Sequence, residues 1–146
     1  MEESISLLRK LQKEFVCEEV DLRNYSPLTL AFLGDCVFDL IIRTVIVERG
    51  NRAAESLHKK KSAIVKAQTQ AQMAELILES LSEEELAVYK RGRNAKSYST
   101  AKNASVTDYR KATGFEALLG YLYLQNKEDR IIELVKASLQ KLDMEI

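Results

Sequence analysis

The chain has 146 residues, equal numbers of acidic and basic side chains and no formal net charge, which weakens any interpretation based on overall charge alone. A chain of this length is expected to form one domain, over residues 1–146. One proline, five glycines and no alternating β-branched stretches predict an all-α fold. With two cysteines and no apolar leader, we expect a cytoplasmic protein without disulfides or membrane spans.

The first two predicted helices differ in their apolar patterns. Residues 4–20 place apolar side chains at helical spacing on one side. Residues 28–48 form a longer predicted helix, with Ser26 as its N-cap, Pro27 in its first turn and Gly50 after its end. Apolar residues cover every side of this second helix instead of one stripe. We therefore expect it to be the buried central helix of a bundle.

The next part of the chain is predicted to form a long helix, a short helix and a loop. The long helix covers residues 53–81, and a break near Ser62 is left open. A capping box at residues 82–85 opens the short helix, which Gly92 is expected to close. Residues 92–107 lack periodicity and are rich in Ser, Thr, Asn and Lys. A loop of this length is more often functional than a plain connection.

Two final helices are predicted on either side of Asn126. The first is capped at Thr107 and Asp108 and carries Glu116, while the second covers residues 127–145 with its apolar side inward.

Charge is segregated along the chain although the total is zero. Residues 56–74 and 86–107 contain no acid. A chain that binds phosphates gathers its cations in this way, and hydroxyl and amide groups of a loop also suit phosphate oxygens. The candidate phosphate-binding residues are Lys59, Lys60, Lys61, Lys66, Arg91, Arg93, Asn94, Lys96 and Lys102.

Two carboxylates interrupt otherwise apolar helices. Asp35 follows Gly34 in the central helix, and Glu116 lies four residues before Gly120. An ionised carboxylate in an apolar interior is costly unless a cation or several donors stabilise it. One explanation is a structural pair of Asp35 with Arg43 or with a backbone amide. The other is that the two helices pack through their glycines and the carboxylates converge on a hard cation such as Mg²⁺.

The residues around both acids resemble the motifs of a known family. Phe-Leu-Gly-Asp at 32–35 is similar to the signature helix of the ribonuclease III family, and Phe-Glu-Ala-Leu-Leu-Gly at 115–120 resembles its second acidic motif. Lys-Arg-Gly-Arg-Asn-Ala-Lys-Ser at 90–97 resembles the compact bacterial branch, which has the nuclease domain without the double-stranded-RNA-binding domain. The likeness covers roughly residues 20–140.

The chain also departs from the larger family members. Those members carry further carboxylates at the positions of Ala31 and Thr113, whereas the compact branch keeps only the pair found here. The resemblance therefore implies that Asp35 and Glu116 are the catalytic and metal-binding residues. Thr113 stays a candidate for an indirect role at the metal.

Asp39 is the other candidate for an indirect role. It lies one turn beyond Asp35 and could support the metal through a water. The alternative, which we favour, is an ion pair with Arg43 four residues further on.

The resemblance implies a Mg²⁺-dependent endoribonuclease, with Mn²⁺ as a substitute, that cleaves double-stranded RNA and leaves 5′-phosphate ends. It also implies a homodimer, because one site cuts one strand, and a role in maturing large-subunit (23S) ribosomal RNA precursors during ribosome biogenesis. The lysines and arginines above would then contact RNA. The alternative, suggested by Ala31 and Thr113, is a catalytically silent RNA-binding or ribosome-associated scaffold with the same fold.

Overall fold

The computed structural model describes residues 6–18, 20–95, 105–144 and 146. Within these ranges the chain forms seven α-helices and two short 3₁₀ turns, with no strand, so the predicted all-α fold is confirmed. The helices are α1 (Leu7–Glu14), α2 (Pro27–Arg49), α3 (Ala54–Val65), α4 (Ala67–Ile77), α5 (Glu83–Asn94), α6 (Val106–Leu124) and α7 (Glu128–Lys141). None of these helices is both long and apolar enough to cross a membrane.

Several helix starts follow local capping signals. The Ser26 hydroxyl accepts a hydrogen bond from the Thr29 amide at 3.1 Å, and Pro27 lies in the first turn of α2 as predicted. The capping box of α5 is also present, since Ser82 accepts from the Glu85 amide at 3.1 Å and Glu85 accepts from the Ser82 amide at 2.8 Å. These bonds satisfy amides that would otherwise lack a partner in the first helical turn.

Some predicted boundaries are wrong. The long third helix is divided at Lys66, four residues after the break left open at Ser62. Ser105 caps α6 in place of Thr107, since its hydroxyl accepts from the Asp108 amide at 3.0 Å. Gly92 lies inside α5 instead of closing it.

Gly92 is needed for close packing and not for a helix end. A Cβ added there would come within 2.8 Å of the Ala117 Cβ and 2.9 Å of the Gly114 Cα on α6. The glycine therefore lets α5 approach α6 closely.

The core is built around the pair of α2 and α6. The fully buried Phe38 of α2 and Phe115 of α6 pack edge to face, with ring centroids 5.4 Å apart. Helix α6 also packs on α4 and α5, while α7 packs on α4 and α6. The sequence of α6 is apolar on nearly every side because the helix has neighbours on several sides.

The backbones of α2 and α6 touch at two glycines. A Cβ on Gly34 would overlap the carbonyl oxygen of Glu116, and a Cβ on Gly120 would overlap the carbonyl oxygen of Leu30. The expectation that these helices pack through Gly34 and Gly120 is therefore confirmed.

The prediction that α2 is buried on every side is wrong. Phe32 is 83% exposed and Leu40 is 58% exposed, and Leu28, Cys36 and Val47 are exposed as well. These residues recur at intervals of four and seven, so they form one stripe along the helix. We call these five residues the α2 stripe. A group of exposed apolar residues on one side of a helix is typical of an interaction surface.

Replacing Gly34 with alanine should destabilise the fold by about 3 kcal/mol or more, because the added methyl group can fit only if the α2 and α6 backbones move apart. The free energy of unfolding from urea titrations measures this loss. Gly50→Ala is the control, since Gly50 has extended backbone angles and a Cβ there would meet no atom closer than 3.8 Å. Equal stability of the two variants would contradict the close approach.

Candidate active site

The contact between α2 and α6 brings the two predicted acids together. Asp35 follows Gly34 on α2, and Gly34 packs directly on the Glu116 carbonyl of α6. The carboxyl group of Asp35 is close enough to that of Glu116 to raise its pKa. Arg43, the alternative partner of Asp35, pairs with Asp39 instead. The glycine contact thus places a carboxylate from each helix at one point.

The two acids have different surroundings. Asp35 is exposed, whereas Glu116 is half-buried. Burial is the largest cause that raises the pKa of Glu116, to about 9, and the hydrogen bond and negative charge of Asp35 raise it further. Glu116 therefore keeps its proton at neutral pH unless a cation joins the pair.

The chemistry of this pair fits a hard divalent cation. Two carboxyl groups offer oxygen ligands, and the cation would let the buried Glu116 ionise beside Asp35. Within the described part of the chain, no group of three or more His, Cys, Asp or Glu residues could hold a metal. Water and substrate oxygens would therefore complete the coordination, as is common for Mg²⁺.

One neighbour of the acid pair was missed by the sequence analysis. Gln70 of α4 is 2% exposed, and its side chain forms a hydrogen bond that lowers the pKa of Glu116, against the larger effect of burial. A glutamine in an amphipathic helix carries no local signal of such a role. Only the packing of α4 on α6 reveals it.

Asp39 lies in an ion-pair cluster beside the acid pair. Its Oδ2 is 2.7 Å from the Arg43 Nε and its Oδ1 is 3.8 Å from the Lys61 Nζ. The i,i+4 pair with Arg43 that we favoured is therefore present. Lys61 is turned toward α2, with a side chain only 14% exposed, instead of pointing freely into solvent.

The two family positions without a carboxylate are buried here. Ala31 belongs to an apolar cluster with Leu30 and Ala117, and Thr113 is 7% exposed. The Thr113 hydroxyl donates to the Tyr109 carbonyl at 3.0 Å, so its proton is used in a hydrogen bond within α6.

The candidate phosphate-binding residues divide by exposure. Lys60 is half-buried, and Arg93 packs over the Tyr89 ring at 5.7 Å from its centroid. Lys96 and Lys102 lie outside the described residues. The exposed members are Lys59, Lys66, Arg91 and Asn94.

Comparison with known proteins supports the same assignment. The chain matches the Ribonuclease III domain over residues 28–127. It is 46% identical over 130 residues to Mini-ribonuclease 3 of Clostridium tetani, covering 86% of each chain. It is 48% identical over 126 residues to Mini-ribonuclease 3 of Brevibacillus brevis, covering 86% of this chain and 92% of that one. The crystal structure of protein FN1578 from Fusobacterium nucleatum matches with a TM-score of 0.76 at 32% identity, over 84% of this chain and 94% of that chain.

An all-α fold with one acid on each of two touching helices, together with these likenesses, defines a nuclease domain of the ribonuclease III type. The chain belongs to the ribonuclease III family, in its Mini-ribonuclease 3 branch, and is an endoribonuclease acting on double-stranded RNA. The predicted family and enzyme class are confirmed, and the silent scaffold loses its support.

Without metal, Glu116→Gln should melt at a higher temperature than the wild type at pH 8, and the two should converge near pH 4. The folded pKa of Glu116, about 9, exceeds the ordinary value of 4.5. The stability that its proton provides is therefore fully present below pH 4.5 and is lost as the pH rises toward 9. Glutamine has no such proton to lose.

Thermal unfolding with a chelator at pH 4, 6 and 8 measures this difference. Glu48→Gln is the control, because it makes the same substitution at an exposed glutamate. A difference between Glu116→Gln and wild type that did not change with pH would show that burial and Asp35 do not act on Glu116 as described.

Proposed function

We propose that Asp35 and Glu116 together bind Mg²⁺, or Mn²⁺ in its place, and that this site cleaves double-stranded RNA to 5′-phosphate and 3′-hydroxyl ends. The observation that carries this proposal is the close approach of α2 and α6 at Gly34 and Gly120, which brings the carboxyl groups of Asp35 and Glu116 together. When bound, a divalent cation supplies a water of lowered pKa and positive charge near the phosphate.

The chain's own residues contribute position and charge to this reaction. Gly34 and Gly120 set the spacing of the two helices, which fixes how far apart the carboxyl groups can lie. Glu116 has little freedom to move because it is half-buried, and Asp35 is open to an approaching RNA strand. The proton held by Glu116 at neutral pH has to leave before its carboxylate can bind a cation.

The exposed cations support RNA binding outside the acid pair. Lys59 lies in α3, and Lys66 lies at the junction between α3 and α4. Arg91 lies in the last turn of α5. Helices cannot enter the deep, narrow groove of A-form RNA, so the duplex would be recognised by its shape, phosphates and 2′-hydroxyls. We propose that these residues contact phosphates on both sides of the cleavage site.

The α2 stripe supports the assembly of two chains into a homodimer. Two strands of a duplex run in opposite directions, so cutting both requires two sites related by a two-fold axis. The stripe includes Phe32 and Cys36, which both lie on one side of Asp35 around the helix. A second copy packed on it through its own stripe would bring a second acid pair to the same side of the RNA.

The finer biological assignment rests on the likeness to Mini-ribonuclease 3 proteins. We propose that the chain acts as a single catalytic domain in the cytoplasm and matures the ends of precursor 23S ribosomal RNA.

Asp35→Asn and Glu116→Gln should each lower the rate of duplex cleavage at least about a thousandfold, because losing a metal ligand removes several kcal/mol of stabilisation at about 1.4 kcal/mol per decade. Binding of the duplex, measured by filter retention in Ca²⁺, should change little, since neither residue is an RNA-binding cation. Glu48→Gln should cleave at the wild-type rate. A variant at either position that kept a tenth of the activity would overturn the site.

Phe32→Glu should convert a dimer into a monomer, since a carboxylate in the centre of an apolar interface is strongly unfavourable. Sedimentation equilibrium should give twice the chain mass of 16.6 kDa for the wild type and that mass for the variant. Phe15→Glu is the matched control, because Phe15 is also highly exposed but lies after α1, away from the α2 stripe. A wild-type monomer, or a Phe32→Glu dimer, would contradict the proposed interface.

A further inference from the structure

Asp39 is paired closely with one cation and loosely with another. Its Oδ2 is 2.7 Å from the Arg43 Nε, one turn further along α2. Its Oδ1 is 3.8 Å from the Lys61 Nζ of α3, which is too long for a hydrogen bond. This oxygen is buried and has no hydrogen-bond partner within the described residues. Arg43 therefore fixes the Asp39 carboxylate, while the N–H donors of Lys61 are not used by it.

Stability alone does not account for the loose pair of Asp39 with Lys61. A buried carboxylate oxygen without a hydrogen bond is unfavourable. An ion pair that served only to fasten α3 to α2 would close to hydrogen-bonding distance. The Lys61 side chain is also only 14% exposed, so holding it in place costs rotamer freedom. The result is a positive charge kept in one place, with its donors left for another acceptor.

There is space for such an acceptor beside Lys61. A cavity of about 540 Å³ between α2 and α3 is lined by Lys61 and by the exposed Glu55 and His58, among others. Asp39 follows Asp35 by four residues, which is about 6 Å along the helix axis. An RNA strand with its scissile phosphate at Asp35 would therefore bring a neighbouring phosphate close to Lys61.

We propose that Asp39 is a positioning residue, which holds the Lys61 ammonium group where it binds the phosphate next to the scissile one. This inference rests on the proposed function, and it gives Asp39 a role in RNA binding in place of support for the metal. It also reverses the effect expected from charge alone. Removing an acid makes the protein more positive, which ordinarily strengthens binding to RNA. Removing the Asp39 carboxylate should weaken binding, because Lys61 is then no longer directed at the phosphate.

The test compares two acids beside the same cavity, by filter retention of duplex RNA in Ca²⁺ at matched salt. Asp39→Asn should raise the dissociation constant about tenfold, the effect of losing one charge-assisted hydrogen bond. Glu55→Gln removes the same charge from the cavity lining and should bind as tightly as the wild type or more tightly. Asp39→Glu restores the carboxylate and should recover most of the affinity.

A double-mutant cycle assigns the effect to Lys61. Lys61→Met should weaken binding about tenfold and lower the slope of log affinity against log salt by up to about 0.9, the value for one phosphate contact. Adding Asp39→Asn to Lys61→Met should cause no further loss, because the two residues act through one contact. An equal loss in both backgrounds would overturn the inference, and so would an Asp39→Asn protein that bound RNA as tightly as the wild type.

Mn²⁺ binding, followed by electron paramagnetic resonance of the free ion, separates this role from support of the metal. Asp39→Asn should bind Mn²⁺ as the wild type does, whereas a weaker affinity would assign Asp39 to the metal and overturn the inference. Thermal melting checks the fold, and Asp39→Ser answers the same question if Asp39→Asn does not fold. A wild type that bound duplex RNA but no Mn²⁺ would overturn the proposed metal site, while the RNA-binding results would still decide the role of Asp39.

Discussion

The direct contact between the α2 and α6 backbones is the constraint on which the rest of the structure depends. At Gly34 and Gly120 no side chain separates the two helices, and each glycine packs on a carbonyl of the opposite helix. The next residue after Gly34 is Asp35, and the carbonyl that Gly34 touches belongs to Glu116. The acid pair is therefore a direct consequence of the closest point between two helices, and it needs no loop to position it.

This arrangement stores an electrostatic cost in the metal-free fold. Glu116 loses hydration and faces Asp35, and both effects raise its pKa, to about 9. The hydrogen bond from Gln70 opposes this shift without cancelling it. The acid pair therefore lowers the stability of the fold as the pH rises, and the cation that we propose for it would offset this cost.

Features that depend on a few adjacent residues could be predicted from the sequence. Ser26 and Ser82 act as predicted caps because capping depends on a few adjacent residues, and Asp35 stands out because an acid in an apolar helix is rare. The prediction that Gly92 ends a helix was wrong, because the sequence does not distinguish a glycine that ends a helix from one that allows a second helix to pack closely. Gln70 gives no signal at all, since its role comes from the packing of α4 on α6.

The exposure of Phe32 could not be predicted for a similar reason. The sequence does not distinguish an apolar side chain that packs in its own core from one that packs on a second chain. Successive residues of a helix turn by about 100°, which places Asp35 between Phe32 on one side and Ala31 on the other. Ala31 faces the interior and Phe32 faces outward. Asp35 therefore lies at the border between the packed side of α2 and the α2 stripe, so a partner chain on that stripe would sit beside Asp35 without covering it.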